Sequence, residues 1–120
     1  MIALQIELMM EAQRYDEVEQ VLRPLQIEHP NDTDILMALA AVNSQKGKNY
    51  EAIRYYERVR LVTDEENTAV LNPLAAAYFG DGNLAKARQI LELSLQVDPE
   101  QPEVRRLLDD VLGKGQVASR

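Results

Sequence analysis

The sequence contains no cysteine and no tryptophan. Without cysteine there is no disulfide framework, no thiolate metal ligand and no cysteine nucleophile; the compartment stays open on that ground, with the cytoplasm as the default expectation. Histidine occurs once, as His29 in the run His29-Pro30-Asn31-Asp32, which reads as a solvated turn. No apolar run approaches the ~20 residues a bilayer-spanning helix needs. Met1–Met10 has neither a basic start nor a small-residue cleavage site, so no leader and no membrane insertion are expected. Positive charge is also short: 13 basic residues stand against 20 acidic ones, a net charge of −7. That balance repels a phosphate backbone, and nucleic acid is not an expected partner. The imbalance is local, because residues 1–32 hold seven acids and two bases, net −5, whereas 33–67 and 68–120 are each net −1. Asp109-Asp110 and Glu65-Glu66 are adjacent in sequence and so point apart. No strand pattern precedes a glycine-rich phosphate loop, and no catalytic residue, cofactor or metal is expected.

What the chain does have is self-similarity. Shifting Tyr15–Pro30 by 34 residues lays it on Asn49–Asp64, and a further 35 lays that segment on Leu84–Pro99. Val18, Ala52 and Ala87 fall at one position of the repeat, Leu22, Tyr56 and Leu91 at a second, and Pro30, Asp64 and Pro99 at a third. The one extra residue between the last two copies is assigned to the acidic loop Asp64-Glu65-Glu66-Asn67.

Within each copy, apolar residues recur at steps of three and four, the spacing of one helix face, and breakers separate two such runs. In the third copy the first helix carries Leu71, Leu74, Ala75 and Tyr78, and Gly80-Asp81-Gly82-Asn83 stops it, with Asn83 placed to cap the next. Leu84, Ala87, Ile90, Leu91 and Leu95 then form the second stripe. The middle copy repeats the plan: Asp32 or Thr33 as cap, then Leu36, Leu39, Ala40 and Asn43, Gly47 at the turn, and Ala52, Ile53, Tyr56 and Val59. Pro102 suits the first turn of a seventh helix, with Val104, Leu107, Leu108, Val111 and Leu112 on one side. Pro24 and Pro73 fall inside expected helices, where each removes a backbone hydrogen bond; a kink or a late helix start is expected at both.

The pattern resembles the tetratricopeptide repeat family, whose ~34-residue unit reads W-x2-L-G-x2-Y, then A-x3-F, then P. The third copy matches as Leu71-x2-Leu74-Ala75-x2-Tyr78, Ala87-x3-Leu91 and Pro99. The second departs at Asn43 and Asp64; the first departs further, with Gln5-Ile6 for the leucine-glycine pair and Gln13 for the turn glycine. The resemblance implies an all-α, right-handed solenoid of three helix-turn-helix repeats. These span about residues 1–32, 33–67 and 68–101, with a capping helix at 102–113, forming one domain with a flexible tail at 114–120. First helices would line its concave face, and its function would be non-catalytic protein binding. The alternatives are a structural or self-associating piece of a longer scaffold, and a regulatory domain of a larger protein.

The side chains expected to project into that groove are Ala3, Glu7, Met10 and Glu11, then Asp34, Met37, Ala41 and Ser44, then Ala69, Asn72, Ala76 and Phe79. Their floor is small and apolar and their N-terminal end acidic, which calls for a partner peptide or helix with apolar anchors and net positive charge. Met10 and Met37 offer adaptable packing, Phe79 a rigid anchor, and Asn72 a hydrogen bond to a ligand backbone. Some family members clamp a chaperone's C-terminal carboxylate with lysine, asparagine and arginine. The matching places here hold Ala3, Glu7, Ala38, Ala69 and Pro73, so acidic tails are not expected to bind. On the second helix of the middle copy, Arg54, Arg58 and Arg60 form a basic patch expected to pair with Glu51 and Glu57.

Overall fold

The computed structural model describes residues 2–118, and side chains from Leu4 to Lys114. Among the described residues there are seven α-helices and no strand: α1 (Ile2–Glu11), α2 (Tyr15–Glu28), α3 (Thr33–Gln45), α4 (Asn49–Thr63), α5 (Thr68–Gly80), α6 (Leu84–Val97) and α7 (Pro102–Ala118). They form two compact units, Met1–Val62 and Thr63–Arg120, where one domain over 1–113 was expected. The division falls at the end of α4, just before the acidic loop. There Asp64 takes a left-handed φ of 54° as the chain leaves α4.

Three of the interhelix turns are one structure repeated. At each, the residue closing the turn has a left-handed φ: Gln13 at 59°, Gly47 at 78° and Gly82 at 82°. The amide after it reaches back to the last full turn of the helix: Arg14 N to Met9 O at 2.9 Å, Lys48 N to Asn43 O at 2.8 Å, and Asn83 N to Tyr78 O at 2.9 Å. This satisfies carbonyls that the helix end would otherwise leave bare. The starts of α3, α5 and α6 are capped by side chains: Asp32 accepts from Asp34 N and Ile35 N, Asn67 from Ala69 N, and Asn83 from Lys86 N. Of the two caps considered for α3, Asp32 is the one used. Because Asn67 starts α5 ahead of Pro73, and α2 runs unbroken past Pro24, neither proline delays its helix.

In the first unit, Val18 and Leu22 of α2 meet Leu39 and Val42 of α3, and Ile6, Met9 and Met10 of α1 and Tyr55 of α4 pack onto this cluster. Burying a leucine such as Leu22 or Leu39 stabilises the unit by about 1.5–3 kcal/mol. A charged link fastens the same helices. Lys46, just past α3, bonds Glu19 at 3.1 Å and Asp16 at 2.5 Å on α2, while Arg23 holds Glu19 from the other side at 3.0 Å. Burial on its own would raise the Glu19 carboxyl, but the bonds from Lys46 and Arg23 outweigh it and hold Glu19 below the usual carboxylate range.

In the second unit α6 packs against both α5 and α7. Its core is Leu71, Leu74, Ala75 and Ala77 from α5, Ala87, Ile90 and Leu91 from α6, and Val104 and Val111 from α7. α7 corrects the sequence reading. It continues through Gly113 to Ala118, so residues 114–118 are helical and not a flexible tail; the last two residues lie outside the described ones. A helical glycine costs only about 0.5–1 kcal/mol against alanine, too little to end a helix that is packed on its neighbour.

The turns generate one expected outcome. A non-glycine residue in the left-handed region costs about 1–2 kcal/mol, of which glycine's extra freedom in the unfolded chain returns about 0.5–1. Gln13→Gly should therefore stabilise the protein by about 0.5–1 kcal/mol in urea unfolding at unchanged m-value. Gly82→Ala should destabilise it by a similar amount, since a Cβ there meets nothing within 4 Å and only the backbone resists. The charged link generates a second. Glu19 has a depressed pKa when folded, so its stabilisation is present above its ordinary value of 4.5 and is lost as pH falls through the lower folded value. The stability gap between wild type and Glu19→Gln should be full at pH 7 and close as the solution is acidified below that range, measured by urea midpoints at stepped pH.

Candidate functional site

A cleft of about 280 Å³ opens in the first unit between α1 and α3. Its geometry follows from helical spacing. Ile6 and Met10, four apart on α1, turn inward onto the Val18–Leu22–Leu39–Val42 cluster and are half-buried there, forming one wall. Ala38 and Ala41, three apart on α3, form the floor, and their single methyl groups are what leaves the space open. Glu7 and Glu11 follow Ile6 and Met10 by one residue each and so stand together on the rim, both exposed. Neither is ion-paired among the described residues. The result is an apolar slot edged on one side by two uncompensated carboxylates.

Of the residues expected to face a partner, the cleft brings together Glu7, Met10, Glu11 and Ala41. Met37 and Ser44 are half-buried and Asp34 exposed on the same stripe of α3, outside the cleft lining. Ala69 and Ala76 are exposed on α5. Ala3 falls outside the described side chains. Ala38, one of the places matched to the carboxylate clamp, lines the cleft too, and Ile6 lines it without having been expected to face a partner. The signal for Ile6 was available: it lies four residues before Met10.

Two expected contacts are otherwise engaged. Asn72 Nδ2 donates to Gln101 Oε1 at 2.8 Å, and its Oδ1 accepts from Ser94 Oγ at 2.5 Å. Gln101 Nε2 in turn reaches Ser94 O at 3.1 Å and Asp98 O at 2.8 Å. This network ties α5 to α6 and to the loop before α7, so both ends of the Asn72 amide serve packing. Phe79 is half-buried, and Lys114 of α7 sits over its ring, 4.4 Å from the centroid. The ring therefore has a cation–π partner from the chain itself, an attraction of about 0.5–1 kcal/mol at an exposed site.

Chemistry of other kinds has little to work with. His29 is exposed, 4.0 Å from the neighbouring Glu28 carboxylate, and does not line the α1/α3 cleft. Among the described residues no group of three His, Cys, Asp or Glu side chains is placed to hold a metal ion. No described helix is long and apolar enough to cross a membrane.

Paired helices on a fixed period, closed by one recurring turn and leaving a slot between first helices, define an α-helical repeat protein. The chain belongs to the tetratricopeptide repeat family, whose family model matches residues 45–110. The fold is a non-catalytic protein-interaction fold in general. No curated protein sequence matches the chain. Among solved structures it is similar to the Yersinia enterocolitica type III secretion translocator chaperone SycD, with 19% identity and a TM-score of 0.83 over 96% of this chain and 83% of that one. The first TPR of Spaghetti (RPAP3), bound to the HSP90 peptide SRMEEVD, matches with 16% identity and a TM-score of 0.84 over 99% and 91%. SycD in complex with a peptide of the translocator YopD matches with 18% identity and a TM-score of 0.78 over 99% and 92%. At these identities the likeness is one of fold.

The Asn72 network carries an expected outcome. Asn72→Ala strips the fully buried Ser94 hydroxyl and Gln101 of a partner, which should destabilise the protein by about 1–3 kcal/mol in thermal or urea unfolding. A side chain reserved for a ligand would cost next to nothing, so an unchanged midpoint would return Asn72 to the partner surface.

Proposed function

We propose that this chain is a non-catalytic interaction module that holds a basic, apolar peptide segment of another protein in the α1/α3 cleft. The observation that carries the reading is the slot itself: an apolar wall and floor from Ile6, Met10, Ala38 and Ala41, edged by the uncompensated Glu7 and Glu11. An apolar side chain entering it loses water against a preformed wall. A lysine or arginine one turn further along the partner meets the rim carboxylates, and their long-range field speeds the encounter. Relatives in fold are seen with peptides, SRMEEVD of HSP90 in one case and a YopD segment in another, which supports a peptide as the class of ligand. The sign of the ligand differs. A peptide rich in glutamate and aspartate would face Glu7, where a carboxylate-binding cation would be needed. Met37 and Ser44, on the stripe of α3 that includes Ala41, extend the proposed contact along that helix.

A second reading rests on α1 alone. Leu4 and Leu8 lie one turn apart and are 55% and 56% exposed, an apolar pair that favours self-association or apposition to a further helix.

The proposal predicts that a labelled peptide with alternating lysines and leucines binds wild type, measured by fluorescence anisotropy, and that the association rate falls as salt is raised. Ala41→Leu fills the floor and Glu7→Lys inverts the rim; each should weaken binding by at least about tenfold, with helical circular dichroism unchanged. The peptide SRMEEVD should not bind. Micromolar binding of SRMEEVD, or full affinity in Ala41→Leu, would overturn the reading, and sedimentation of the same samples separates it from self-association through α1.

A further inference from the structure

The first unit has a second concave feature with chemistry opposite to the first. Between α2 and α4 lies a groove of about 540 Å³, nearly twice the size of the α1/α3 cleft and sharing no lining residue with it. On α4 the inward stripe is Ala52, Ile53, Tyr56 and Val59. The outward stripe, Arg54, Arg58 and Leu61 with Tyr55 at its edge, forms one side of the groove, and Gln26 of α2 stands across it.

The arginines are the informative residues. Of the three arginines expected to pair with Glu51 and Glu57, Arg60 does so and Arg54 and Arg58 do not. Glu57 pairs with Arg60 at 2.8 Å. Arg58 donates to two neutral oxygens, Pro30 O at 3.3 Å and Asn31 Oδ1 at 3.1 Å, so its charge is positioned but not neutralised. Those two bonds use one proton of Nε and one of Nη2, leaving three of the guanidinium's five N–H groups for a ligand. Arg54, one turn earlier and exposed, makes no ion pair among the described residues. Glu51 is the remaining acid of the lining, in the first turn of α4, where the helix N-terminus already favours negative charge. In a chain of net charge −7 this groove thus keeps two cations outside any ion pair among the described residues, one turn apart, with Glu51 the one unpaired acid beside them.

The apolar groups beside them point the same way. Leu61 is 80% exposed at the groove's end, and Ile27, next to Gln26, is 77% exposed. Tyr55 is half-buried and packed on the core cluster, so its ring is a fixed plate. Arginine and a rigid aromatic ring beside exposed aliphatic surface is the composition of an interface hot spot.

We infer that the α2/α4 groove is a second docking site, one that takes an acidic peptide segment carrying an apolar residue beside its carboxylates. Charge complementarity selects the occupant: a guanidinium pairs with a carboxylate through two parallel hydrogen bonds, and Arg58 is already oriented. A nucleic acid would offer anions too, but the net charge of the chain repels its backbone. The site stands apart from the α1/α3 cleft, so the protein holds segments of opposite charge on two faces of one unit.

The test uses the whole chain and a short fluorescein-labelled helical peptide with two glutamates one turn apart and a leucine on the same face. Anisotropy should show binding to wild type, and amide shifts in NMR should move along α2 and α4. Arg54→Glu and Leu61→Ser, both at exposed positions, should each weaken binding by at least about tenfold with circular dichroism unchanged. Replacing the peptide's glutamates by glutamine should do the same, whereas Ala41→Leu and Glu7→Lys in the other cleft should leave affinity as it was. Absence of binding to wild type, full affinity in Arg54→Glu, or loss in Ala41→Leu would each overturn the assignment. So would a dimer in sedimentation velocity that Arg54→Glu dissolves, since the occupant would then be a second copy.

Discussion

Each helical hairpin of this chain depends on a fully buried, compact residue at one place in its second helix: Val18 on α2, Ala52 on α4 and Ala87 on α6, none with any exposed surface. The distance at which two helices pack is set by the side chains at their contact, and a small residue there admits the closest approach. On the first helices of the second and third pairs, Ala40 and Ala75 are equally buried. Larger side chains such as Leu36, Leu71 and Leu91 are buried as completely.

Polar groups divide into those that hold this packing and those that remain available. The Asn72–Ser94–Gln101 network and the Lys46–Glu19–Arg23 link belong to the first kind. Both lie where a helix meets the next connection, where an unsatisfied group would be costly and a satisfied one specifies register. Glu7, Glu11, Arg54 and Arg58 belong to the second kind, and all four sit on the first unit. Their signs are separated, with carboxylates beside the α1/α3 slot and guanidinium groups beside the α2/α4 groove. Under the two proposed docking sites, separation of this sort would keep two differently charged segments from competing for one surface.

The repeat shows also how much irregularity the fold accepts. Gln13 adopts the left-handed turn that Gly47 and Gly82 adopt, and Pro73 sits inside an unbroken α5. In each case the backbone penalty is a kcal/mol or a few, on the order of what one buried leucine contributes. Departures from the family pattern in the first copy are therefore compatible with the family's architecture.

The helices, their caps at Asp32 and Asn83, the glycine turns and the buried stripes were legible from the residues alone. Each is a local property: period within a helix selects a face, and a side chain one to three residues from an amide caps it. The slot's chemistry was partly legible for the same reason, since Glu7, Met10 and Glu11 share one stretch of α1. Other features depended on residues far apart in sequence. Asn72 is engaged by Ser94 and Gln101, 22 and 29 positions on, and Phe79 by Lys114 on a helix that continues past Gly113. Arg58 turns to Pro30 and Asn31, 28 and 27 positions back. Spacing determined which residues share a face; only the tertiary structure decided what lies opposite that face, and hence which polar side chains packing consumes and which it leaves for a partner.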